Sequence, residues 1–139
     1  MTFAGINYVA ILVAAVAGWM AGAAWYMALA KPWMAAVGLS KEAIEASRQR
    51  PGASLPFIYA FAANVIMAWV LAGLIGHLGA VTIRSGVISG AFCWFGFVIT
   101  TMLVNYSFAI RNRMLLLIDG CHWLVVLVLM GGIIGAFGV

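Results

Sequence analysis

Residues 114–130, MLLLIDGCHWLVVLVLM, decide the fold. The stretch is apolar enough for lipid, yet it carries Asp119 and His122 one helical turn apart. Insertion is a matter of magnitudes. Thirteen of residues 114–137 are Leu, Ile, Val or Phe. At about −0.3 to −0.6 kcal/mol each they outweigh one acid at about +3 kcal/mol. The segment therefore reads as a membrane span, and its acid must face protein rather than acyl chains.

The rest of the chain agrees. Of 139 residues, 67% are hydrophobic and 7% charged. Soluble domains run at about 45–50% apolar and about 25% charged. A soluble fold this small cannot hide so much apolar surface. The net charge of +4 reports orientation and contact with lipid headgroups, because no basic patch interleaved with aromatics is present. Membrane lipids are the expected partners, and nucleic acid is not. No Lys or Arg precedes Lys31, and the first apolar run exceeds a signal h-region, so it reads as a retained span.

A spanning helix needs about 20 apolar residues. Four segments qualify: 6–30, 56–77, 84–110 and 114–137. The expected fold is an all-α, four-helix membrane bundle forming a single domain. The connection 31–55 holds most of the charge. Within it LSKEAIEASRQRPG predicts a short surface helix, with Ser40 as N-cap, Glu42 and Glu45 early, Arg48 and Arg50 late, and Pro51-Gly52 as its stop. The two remaining connections are short, so the last three spans should be antiparallel neighbours. Lys31, Lys41, Arg48, Arg50, Arg111 and Arg113 lie on one side and Arg84 alone on the other. The basic loops are expected in the cytoplasm and both termini outside. Trp25, Tyr26 and Trp33 fit an inner interfacial belt and Tyr8 an outer one.

Inside a bilayer close backbone packing and polar contacts hold helices together. Small residues recur at four-residue spacing: Ala14, Gly18 and Gly22; Gly86 and Gly90; Gly131 and Gly135. They pack spans within one chain or form the seam of a homo-oligomer.

Depth brings polar residues together. Asp119 lies about 7 Å and His122 about 12 Å from the inner edge, and Asn64 also about 12 Å, at 1.5 Å per residue. Asn105 and Tyr106 close span 3 near that edge, and Tyr26 closes span 1. At about 100° per residue Trp94, Thr101 and Asn105 share one side of span 3. An inward-facing cluster is expected, with Asp119 bonded to Asn105, Asn64, Tyr106 or Arg113. Such a cluster either locks the bundle or marks a proton or solute path, since imidazole titrates near neutrality.

Trp19, Trp69, Trp94 and Trp123 place one indole near mid-depth in each span. They read as packing, or, for Trp19, Trp94 and Trp123, as an apolar pocket for a lipid or quinone. Cys93 and Cys121 differ by about 7 Å in depth and are not expected to pair. His77 lies at the far end of span 2, so no metal or haem set forms. There is no phosphate loop and no catalytic constellation, and neither catalysis nor a cofactor is expected.

The opening, residues 6–42, resembles the small bacterial membrane proteins grouped as domain of unknown function 1761. The matching elements are Asn7-Tyr8, the Gly-x-x-Trp-Tyr run Gly22-Ala23-Ala24-Trp25-Tyr26, Trp33 and Gly38-Leu39-Ser40. The family's aromatic and Gly-Lys after that run are reduced here to Lys31 and Trp33. The resemblance implies four spans and a bacterial inner membrane, and no activity. Three roles follow as expectations: a structural or accessory membrane protein, alone, as a homo-oligomer or in a larger complex; a small transporter or proton-coupled pore using Asp119 and His122; or a lipid or quinone binder.

Overall fold

The computed structural model describes residues 6–138. The extreme chain ends, expected on the outer side, lie outside the described residues. The elements are α1 (Tyr8–Ala28), α2 (Ala30–Val37), α3 (Lys41–Arg48), α4 (Leu55–His77), α5 (Ile83–Cys93), a π-helical turn (Trp94–Val98), α6 (Ile99–Phe108) and α7 (Arg113–Phe137). Among the described residues there is no strand. Among the described residues four helical runs are long and apolar enough to cross a membrane: α1, α4, α7 and the continuous run from α5 through α6.

Local chemistry sets the helix starts. Asn7 accepts the Ala10 N–H at 3.1 Å, Ser40 the Ala43 N–H at 3.2 Å, and Asn112 the Met114 N–H at 2.9 Å. Thr82 and Ser85 form a reciprocal capping box at α5. Each side chain satisfies an amide that the first turn leaves without a partner. On α3 the Glu42 carboxyl is held below its usual pKa by a hydrogen bond with its own backbone and a second with Ser40. The Glu45–Arg48 pair, at 3.7 Å and largely exposed, adds little.

The connection 31–55 holds two short helices rather than the one expected. Pro32 explains the extra break. It has no N–H to offer the Ala28 carbonyl four residues back, and its ring crowds that oxygen. α1 therefore stops at Ala28, and the chain turns at Leu29 before α2 begins. Gly38, at φ 78°, ends α2 in a left-handed conformation that glycine adopts without cost.

α7 is the central helix. It packs against α5, α1 and α4, and α4 packs in turn against α1. Some 44% of its apolar stretch is buried, against 11% for the α5–α6 run. Ala14, Ala15, Ala68, Ile75, Val126 and Met130 form the core between α1, α4 and α7. Along the α5–α7 contact a Cβ on Gly86 or Gly131 would meet the other's main chain. A Cβ on Gly90 would meet the Leu127 carbonyl, and one on Gly135 the Thr82 carbonyl. Ala14, Gly18 and Gly22 face inward on α1. The structure thus uses each of these small residues between helices of one chain.

Candidate functional site: a tyrosine-clasped acid

Asp119 lies six residues into α7, about 9 Å along it at 1.5 Å per residue. It is 9% exposed. The Tyr26 hydroxyl, from the last turns of α1, donates to Oδ1 at 2.8 Å. The Tyr106 hydroxyl, from α6, donates to Oδ2 at 2.8 Å. The two flanking carbonyls are also engaged. The Trp25 indole N–H donates to the Ile118 carbonyl at 3.1 Å, and that of Trp94 to the Gly120 carbonyl at 2.7 Å. A helical carbonyl has a second lone pair for such a bond. One Trp and one Tyr from each side thus grip residues 118–120 of α7. A carboxylate with donors on both oxygens regains part of the hydration it gave up on burial.

The π turn determines which side chain reaches Asp119. The Ile99 N–H bonds the Trp94 carbonyl, five residues back rather than four. One extra residue enters the turn, and everything after it is rotated by about 100° against an unbroken α-helix. Counted without the turn, Asn105 falls about 20° from Trp94 and Tyr106 about 120° away. Counted with it, Tyr106 falls about 20° from Trp94 and Asn105 about 80° away. Tyr106 accordingly bonds Asp119, while Asn105 is exposed and outside the cluster, contrary to the sequence expectation. Thr101 is exposed too, and its hydroxyl donates to the Phe97 carbonyl of its own helix at 2.5 Å.

His122 lies one turn deeper, 7% exposed. Its ring sits 4.9 Å from that of Tyr26 and 4.6 Å from that of Trp123. Nε2 points at Gly22, where a Cβ would come within 2.7 Å of it. Nδ1 is buried with no hydrogen-bond partner. On α4 the Asn64 amide nitrogen donates to the Ala60 carbonyl at 2.8 Å, which fixes Oδ1 as the atom turned inward. Oδ1 lies against Gly18, where a Cβ would come within 2.6 Å, and it too has no donor. Gly18 and Gly22 therefore make room for Asn64 and His122, one turn of α1 apart. Asn64 belongs to this seam and is not bonded to Asp119; Arg113 is exposed at the start of α7 and makes no bond to the acid either.

Trp19, Trp94 and Trp123 each turn to a different neighbour. Trp19, 36% exposed, meets Phe61 edge-on at 6.1 Å. Trp94 turns to Gly120, and Trp123 to His122. A cleft of about 520 Å³ lies elsewhere, lined by Leu74, Leu78, Ile88, Phe92 and Phe97 among others, and includes none of these three indoles. Cys93 and Cys121 are free thiols. Among the described residues no group of three or more His, Cys, Asp or Glu could hold a metal.

Sequence reading missed the part played by Trp25 and Trp94. Trp25 reads as an interfacial anchor, and Trp94 as a packing or pocket residue. The available signal was the adjacency of Trp25 to Tyr26, which places both on the end of α1 that meets Asp119.

Comparison with curated proteins and with solved structures finds no match. Residues 9–135 match the family model described as protein of unknown function (DUF1761), and the chain belongs to that family.

Proposed function

We propose that this chain is a non-enzymatic, multi-pass membrane protein with a structural or accessory role, its bundle closed by the Asp119 clasp. One observation carries the reading: the Asp119 carboxyl ties α1 and α6 to α7, each of its oxygens accepting one tyrosine hydroxyl at 2.8 Å. The apolar core beyond His122 supports the same reading. From Val126 to Ile134, about 12 Å at 1.5 Å per residue, α7 buries Val126, Leu127, Met130 and Ile134. The proposed setting is a bacterial inner membrane, with the basic loops in the cytoplasm and lipids as partners. Self-association, or a place in a larger membrane complex, belongs to the same proposal, since an exposed apolar helix face packs against lipid or a neighbouring helix alike.

A second reading, a small proton-coupled transporter, is favoured by the unpartnered His122 Nδ1 and Asn64 Oδ1. Intramembrane polar groups often mark a path. One experiment separates the two. Under the structural role, Asp119→Asn lowers stability in detergent by about 1.5–3 kcal/mol, the range for hydrogen bonds to a charged group. Proteoliposomes of wild type and variant then show the same proton leak as empty vesicles. A wild-type flux that Asp119→Asn abolishes would transfer the assignment to transport.

A further inference from the structure

α2 is bounded by two breaks, at Leu29 and at Gly38. None of its residues is buried, yet it packs against α7. Its half-buried Trp33 meets Tyr26 edge-on, with centroids 5.9 Å apart and planes at 78°. Tyr26 in turn holds Asp119 and lies against His122. A single aromatic contact thus links a lightly held surface helix to the acid. We propose that α2 is a hinged cover, latched by Trp33 on Tyr26, which keeps water from the Asp119 clasp.

The physical basis is the difference between a dry and a wet hydrogen bond. In a low-dielectric site the tyrosine–carboxylate bonds are strong, and water competes with them once admitted. Elements with little burial open at the lowest free-energy cost. The loop holding α3 follows α2 directly, so a pull on that exposed loop is transmitted to the cover. This goes beyond the structural role, because it gives the clasp a handle at the membrane surface.

A water-soluble carbodiimide with an amine nucleophile tests it on the full chain in lipid nanodiscs. Glu42 and Glu45 are exposed and serve as internal references. Wild-type Asp119 should label far more slowly than either. Trp33→Ala should speed Asp119 labelling about two- to tenfold, the range an aromatic pair contributes, with Glu42 and Glu45 unchanged. Trp33→Phe should retain the wild-type rate. Pro32→Ala, which lets α1 run on through Leu29 and swings α2 off α7, should reproduce the Trp33→Ala effect without touching the latch. Protection of Cys93 from an impermeant thiol reagent should stay constant throughout. The proposal is overturned if neither Trp33→Ala nor Pro32→Ala changes the rate, if wild-type Asp119 labels as fast as Glu42, or if the rise comes with equal deprotection of Cys93.

Discussion

At Gly22 one methyl group separates two outcomes. An alanine there would bring its Cβ within 2.7 Å of His122 Nε2, and His122 is held between Tyr26 and Trp123. The imidazole has little room to yield. Gly22→Ala should therefore destabilise the protein by about 1–3 kcal/mol, as overpacking of a full interior does. At Gly96 a Cβ meets nothing within 4 Å. Gly96→Ala should be neutral, or stabilising by up to about 1 kcal/mol through helix propensity. Unfolding in mixed micelles measures both, and equal losses would show that Gly22 is not a steric requirement. Part of this residue-scale picture was legible in the sequence. Asp119, His122 and Tyr26 could be placed by depth and face alone. The orphaned Nδ1 of His122 and Oδ1 of Asn64 could not, because pattern and spacing do not reveal which donors come within reach.

The third long helix shows why faces fail where depths succeed. Depth depends on a rise of 1.5 Å per residue, which one irregular turn barely changes. Face depends on an angle of about 100° per residue, which one π turn resets. Asn105 leaves the expected cluster, and Tyr106 keeps its place in it, for that reason. Deleting Gly96 should remove the extra residue, restore an unbroken α-helix and keep Tyr106 on Asp119, because Tyr106 then stands eleven α-helical residues, about 20°, from Trp94. In that background, as in the intact chain, Tyr106→Phe should cost about 1 kcal/mol, typical for a hydrogen bond within a membrane bundle. A double-mutant cycle reads the coupling. If Tyr106→Phe costs nothing once Gly96 is deleted, the π turn does not set the register. A second irregularity, the break at Leu29, was within reach of the sequence. Pro32 forbids a straight continuation of α1, although the span was expected to run to residue 30. α2 itself was not expected, since a short, weakly buried helix leaves a faint periodic signal.

For the whole molecule, charge and connectivity carry the argument. The ends of α1, α6 and the start of α7 lie at the end of the bundle that bears Lys31, Arg111 and Arg113, whereas Arg84 stands near the other. An even number of crossings puts both chain ends on one side. A C-terminal reporter active only outside the cytoplasm should therefore be active, and one that works only in the cytoplasm should be silent; the reverse pattern would invert the proposed topology. The sequence by itself determined that four helices are long and apolar enough to cross a membrane and that one of them carries a buried acid. Both follow from quantities that add along the chain, namely transfer free energy and length. Only the tertiary structure decided what holds that acid. Angular register, the π turn and the close approach of α1, α6 and α7 are set by packing between distant segments, and they bring Tyr26 and Tyr106, 93 and 13 residues from Asp119, to the same carboxylate.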